Sequence, residues 1–152
     1  MDLSLFLAAD YATVDASGKL NVLGAFNTIF ASQFPTRHAS MHLVVRLQPQ
    51  LGEFGDTRQL RIELVDEDST RLLEMSGEVQ IPDAHGEQQP EFTTVIGLQG
   101  VAFPHPGVYE FRLFVDKDSE RLSPALSKTE AARAQDRRAV ICLRKRRNCL
   151  SE

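Results

Sequence analysis

The sequence predicts an all-β protein: a two-layer antiparallel β-sandwich, immunoglobulin-like in the broad sense, with a basic C-terminal tail. Three observations carry this expectation. Successive stretches alternate apolar and polar residues with a period of two, the pattern of strands that cover one face. Clusters of turn-forming residues separate those stretches at antiparallel spacing. Between them lies no helical segment long enough for the crossover that parallel neighbours require. The chain has 152 residues, 42% hydrophobic and 25% charged. That size suits one domain, at most with a tail, and its core needs no metal or disulfide staple.

The pattern is clearest from Val108 to Val115. Tyr109, Phe111, Leu113 and Val115 fall on one face, and Val108, Glu110, Arg112 and Phe114 on the other. Pro104, Pro106 and Gly107 interrupt pairing before this strand, and Asp116-Lys117-Asp118 turns the chain after it. Its aromatic face needs a second layer to cover it.

From the N-terminus, Leu3 to Ala8 is the first strand. An acid, Asp2, stands where a secretory signal carries positive charge, so a strand is the better reading. Asp15-Ala-Ser-Gly18 turns the chain and Lys19 to Ala25 returns it, an N-terminal hairpin. Phe26, Ile29, Phe30 and Phe34 follow at helical intervals of three and four, but Gly24 and Pro35 allow two turns at most. Two readings stand: a turn that plugs one end of the core, or an aromatic face of Phe26, Phe30 and Phe34 that binds a partner. Met41, Leu43, Val45 and Leu47 then share one face of a strand. Leu60, Ile62 and Leu64 pair in a hairpin with Leu73, Met75, Gly77 and Val79 across the turn Asp66–Thr70. After the polar loop Pro82–Pro90, Phe92, Thr94, Ile96 and Leu98 form the next inward face. About seven strands result. The antibody hallmarks are missing, since the chain has no Trp and no cysteine before Cys142.

Charge divides the chain. The net charge is −4, yet from Lys128 onward eight Lys/Arg face only three Asp/Glu. We therefore read residues 1–118 as the sandwich and 119–152 as a basic tail, either a helix followed by a short edge strand or a disordered end. Ser127-Lys-Thr-Glu130 fits a capping box ahead of Ala131, Ala132 and Ala134. The apolar run Ala139–Leu143 precedes Arg144-Lys145-Arg146-Arg147. Three roles are weighed for these cations: a solvated end resting on the acidic body, a docking peptide for another protein, or phosphate contacts to nucleic acid. No aromatic residue follows Phe114, so base stacking is unavailable there, and nucleic acid is the least favoured partner. The two cysteines, Cys142 and Cys149, cannot staple the body, which points to a reducing cytoplasm. No apolar run approaches the ~20 residues of a membrane span.

Leu7–Asp10, Gly18-Lys-Leu-Asn-Val-Leu-Gly-Ala-Phe26, Phe34-Pro35, Glu63–Asp68 and Pro106-Gly-Val-Tyr-Glu-Phe-Arg-Leu-Phe-Val-Asp116 resemble a family of small uncharacterised bacterial β proteins over roughly residues 3–118. The resemblance implies a fold of unknown function and offers no catalytic residues to carry over. Two departures are visible. The family tends to have glycine where this chain has Ser69. It also closes with an apolar strand after the equivalent of Asp116, where Glu120–Leu126, broken by Pro124, suits an edge at best.

Chemistry is sparse. His38 and His42 on one strand face would stand about 13 Å apart, too far to share an ion. Together with His85 and His105 they read as surface histidines. Asp66-Glu67-Asp68 imitates the start of a calcium loop, but Arg71 and Gly77 occupy positions six and twelve, so a solvated turn is expected. No nucleophile elbow, phosphate loop or Cys/His signature is present. We thus expect no catalytic, metal or cofactor site, and read the chain as a non-catalytic module binding another protein through sheet edges or end loops. The alternative is a small-ligand or carbohydrate binder built on loops Leu51–Asp56, Pro82–Pro90 and Gly100–Gly107, with Tyr11, His105 and Tyr109 as stacking groups. An enzyme is the third and weakest reading.

Overall fold

A computed structural model describes residues 1–50, 52–83, 91–116 and 139–147. Nine strands are present among them: β1 (Asp2–Val14), β2 (Leu20–Phe26), β3 (Thr28–Ala31), β4 (Thr36–Gln48), β5 (Thr57–Val65), β6 (Arg71–Gln80), β7 (Phe92–Phe103), β8 (Gly107–Asp116) and β9 (Ala139–Arg147). They form two layers. The first sheet runs β2-β1-β4-β7 and the second β3-β9-β8-β5-β6. Every pair is antiparallel except β8 with β9, which run parallel. The fold is all-β, with two sheets packed face to face as the alternation requires.

The core follows from that alternation. Ala8, Met41, Leu43, Val45, Leu47 and Leu98 point inward from the first sheet. Leu60, Ile62, Leu64, Tyr109, Phe111 and Leu113 meet them from the second. One phase change interrupts the pattern in β7. Leu98, Val101 and Phe103 all reach the core, so the chain skips one position at Gly100, which has φ +61°. The neighbouring strand changes phase with it. His38 lies against Phe26 on the core side, whereas His42 lies against Tyr11 on the outer side. The expectation that both histidines share one face is therefore corrected: they point to opposite faces.

A second correction concerns Phe26 to Phe34. No helical turn forms there. Thr28–Ala31 is strand β3, aligned with β9 from Thr28 opposite Cys142 to Ala31 opposite Ala139. A short helical turn would leave several backbone groups unpaired, whereas a strand partner satisfies them. The chain passes from one sheet to the other at Asn27, whose carbonyl accepts a hydrogen bond from the Leu143 N–H at 2.7 Å. β9 comes from the basic end of the sequence and lies between β3 and β8, not at an edge. The helix expected at Ser127–Ala134 and the weak strand candidate Glu120–Leu126 lie outside the described residues.

Two hairpin turns share one design. In each, an aspartate carboxylate accepts the backbone N–H groups two and four residues on. Asp15 Oδ1 takes Ser17 and Lys19 at 2.8 and 3.0 Å, and Asp66 Oδ1 takes Asp68 and Thr70 at 2.9 and 2.8 Å. The fourth residue of each must then be left-handed. Gly18 meets this at φ +81°, but in the second turn Ser69 stands at φ +63°. This is the position at which the resembling family tends to carry glycine. A side chain there costs about 1–2 kcal/mol, partly offset because glycine has more freedom to lose on folding. Ser69→Gly is therefore expected to raise stability by about 0.5–1 kcal/mol in urea unfolding; an unchanged or lowered midpoint would show that the turn carries no such strain.

Candidate interaction face

The residues singled out for partner binding do not form one surface. Phe26 and Phe34 pack against the core, while Phe30 stands 65% exposed on β3. The aromatic face expected from their spacing is absent because two of the three rings are used inside. Arg144, Lys145, Arg146 and Arg147 occupy β9, at backbone positions paired with Glu110, Phe111, Arg112 and Leu113 of β8.

The loops offered for a small ligand are also divided. Residues 52–56 sit with the ends of β4 and β6 and the start of β7, whereas Pro104–Pro106 lies at the opposite end, beside the Asp66–Thr70 turn. Residues 84–90 lie outside the described residues. Of the stacking groups, Tyr109 is fully buried and cannot face a ligand.

The outer faces of the two sheets differ sharply. That of the second sheet is charged. Arg61 bonds Glu63 at 2.9 Å and lies 4.3 Å above the Phe114 ring. Arg71 pairs with Glu74 and Glu63, and Arg112 with Glu110. That face is suited to water.

The outer face of the first sheet is apolar. On β1 the inward residues are Phe6 and Ala8, so Leu5, Leu7, Ala9 and Tyr11 point away from the core. Val44 and His42 of β4 face the same way, because Met41, Leu43 and Val45 point in. The strand register then sets Val44 opposite Leu7, His42 opposite Ala9 and Gly97, Val95 opposite Val44, and Leu23 opposite Tyr11. Val44 and Ala9 are fully buried, although they belong to the outer face. Leu23 and Tyr11 are 68% and 51% exposed. His42 holds the centre, its Nδ1 3.1 Å from the Asp10 carbonyl and its ring edge-on to Tyr11 at 5.1 Å. Arg46, ion-paired with Glu91, and Thr93 border the face at one end, and Asn21 and Thr13 at the other. An apolar centre inside a polar margin is the anatomy of a protein interface.

This face was missed in the sequence, although a signal existed. Leu3-Ser-Leu-Phe-Leu-Ala-Ala9 is apolar at nearly every position, which marks a strand covered on both sides.

The remaining titratable cluster stands at the β7–β8 end and is structural. The Tyr109 hydroxyl donates to the His105 carbonyl at 2.7 Å and its ring stacks on the His105 imidazole. Burial raises the phenol above its usual value, despite the opposing effect of that backbone contact, so it stays a donor. Glu67 accepts the Val108 N–H at 2.7 Å, in space that a side chain on Gly107 would fill. His105 Nε2 lies 3.7 Å from Asp66. Burial pushes the Asp66 carboxyl up, but the backbone N–H bonds from Thr70 and Asp68 outweigh it and leave the group below the usual carboxylate value. Of the acids that imitate a calcium loop, Asp66 and Glu67 are thus committed to backbone donors. At the far end, Arg58 is buried and bonds Asp56 and Glu53 at 3.1 and 3.3 Å, closing that end of the sandwich. No group of three or more His, Cys, Asp or Glu that could hold a metal occurs among the described residues. No helix among them is long and apolar enough to cross a membrane.

A family model described as "Family of unknown function (DUF6941)" matches residues 4–124. No curated protein and no solved structure matches the chain.

Two outcomes test the end cluster. Tyr109→Phe leaves a buried carbonyl without its donor and should lower stability by about 1–2 kcal/mol in urea unfolding; a neutral effect would mean that water replaces the hydroxyl. Because the folded Asp66 value lies below the unfolded one, its stabilisation is complete above about pH 4 and vanishes as pH falls through the folded value. The stability gap between the wild type and Asp66→Asn should therefore narrow on acidification, and a gap independent of pH would contradict this.

Proposed function

The chain belongs to this family of unknown function, and we propose that it acts as a non-catalytic protein-binding module whose contact surface is the outer face of the first sheet. The observation that carries this reading is the apolar array Leu5, Leu7, Tyr11, Leu23, Val44 and Val95 on a sheet face that nothing else in the described chain covers. Scattered apolar residues are ordinary on a surface, but a contiguous patch spread over four strands is a recurrent mark of association. The second sheet makes the contrast, since its outer face carries the ion pairs of Arg61, Arg71 and Arg112 with Glu63, Glu74 and Glu110. A protein partner also accounts for Tyr11, an amphipathic ring of the kind enriched at interfaces. The binding surface is then a sheet face, in place of the edges or end loops expected from sequence alone. The low cysteine content and the family resemblance fit a bacterial cytoplasm.

Leu23→Glu tests the reading, because Leu23 is largely exposed and its replacement leaves the core untouched. In affinity capture from the native host, the wild type should retain a stoichiometric partner that the folded variant loses. Retention of the same partner by Leu23→Glu and by Tyr11→Ala would remove this face from the proposal.

A further inference from the structure

The occupant of the face can be specified further, on the basis of that reading. We propose that it is a second copy of this chain, stacked face to face about a two-fold axis that crosses the strands at the level of Ala9 and His42.

The area is the first argument. Four strands of 7, 13, 13 and 12 residues at ~4.8 Å spacing and ~3.3 Å per residue present about 700 Å². That lies within the range of standard stable interfaces, about 600–1,000 Å² per partner. A twisted sheet is also a natural complement to another of the same twist, which is why sheets stack in near alignment about 10 Å apart.

Charge is the second. Ala9 is paired with His42, so one level marks the middle of both central strands. Arg37 is exposed on β4, five residues to one side of His42. It pairs with Ala102 of β7 and alternates with the inward His38. Asp2 is paired with Gln48, six residues to the other side, and supplies the negative charge of that end, where Glu91 is balanced by its ion pair with Arg46. At ~3.3 Å per residue the positive and negative ends stand roughly 17 and 20 Å from the centre. A two-fold axis through that centre reverses one strand direction over the other. Each Arg37 then meets the acidic end of the second copy, and Tyr11 lies over the second copy's Leu7. An unrelated partner would have no reason to find opposite charges at matching distances from the middle of the patch. An isologous interface demands that symmetry.

Hydrogen bonding is the third. His42 Nδ1 lies in hydrogen-bond range of the Asp10 carbonyl, which puts the proton there and makes Nε2 an acceptor. The Tyr11 hydroxyl beside it makes no hydrogen bond among the described residues and is a donor. A donor and an acceptor next to the axis satisfy one another across it.

Sedimentation of the full chain over a concentration series tests this. The wild type should dimerise. Leu23→Glu should weaken self-association by at least ~10-fold, as expected for a charge forced into a desolvated interface. Arg37→Glu should weaken it as well, and adding Asp2→Lys to Arg37→Glu should restore it, which a merely structural effect of Arg37 would not allow. Circular dichroism melts identify any variant that has lost its fold, in which case Tyr11→Ala replaces it. A wild type that stays monomeric throughout, or a dimer indifferent to both Leu23→Glu and the charge reversal, overturns the second-copy inference. If the wild type is monomeric and Leu23→Glu still abolishes capture of a different protein, this inference fails while the interaction face stands. If capture is also unaffected, both fail.

Discussion

The two layers are tied together at β8. Its Phe111 meets Phe6 of β1 edge-on at 6.4 Å, and its Tyr109 meets Phe103 of β7 edge-on at 5.0 Å. Each pair joins one sheet to the other, and such geometry adds about 0.5–1.5 kcal/mol beyond the area it buries. Phe103 and Tyr109 are also near neighbours in sequence, joined by Pro104–Pro106 as the chain crosses between sheets. The Tyr109 hydroxyl bonds back to the carbonyl of His105 within that crossing, so one side chain fixes both the packing and the connection. The related device in antibody domains is a tyrosine bonding upstream backbone at a sheet corner. With the inner face of β8 fixed, its alternate residues Glu110 and Arg112 must face outward.

A sandwich can satisfy only one face of each sheet. In the second sheet the spare face carries ions and an Arg61–Phe114 stack, which keep it stable against water. In the first sheet it carries leucine, valine and tyrosine, and those residues gain nothing from the fold beyond what their neighbours hide. Val44, on the same face, is fully buried. The asymmetry is easiest to understand if the molecule is one half of a larger packed structure.

Much of the architecture was legible because the main strands keep period two. Met41 to Leu47, Leu60 to Leu64 and Tyr109 to Val115 show their inward faces directly. β3 was not legible: four residues hold no readable period, and their pairing partner lies more than a hundred residues away. The apolar half of β9 was visible as Ala139–Leu143, but the strand continues through four cations whose composition suggests a tail. The opposed directions of His38 and His42 depend on a phase change that β4 shares with β7, where Gly100 stands. Ser69 departs from the glycine of the resembling family, and its left-handed backbone gives that departure a physical content. The outer face was half legible, since Leu3–Ala9 is apolar at every position but Ser4, yet only the register with Leu23, Val44 and Val95 gathers those residues into one surface.

The position of β9 has a kinetic consequence. Among the described strands β3 pairs with β9 alone, and Ile29 finds Ile141 across most of the sequence. The entropy of closing so long a loop must be met before any of its contacts reward it, and topologies of this kind fold slowly. Until β9 arrives, β3 and one side of β8 are open edges, able to accept any extended chain nearby. During synthesis the strands from β1 to β8 emerge first and can assemble, while the slot between β3 and β8 stays empty until residues 139–147 have been made. Filling that slot gives β3 its partner and turns β8 from an edge into the interior of the sheet.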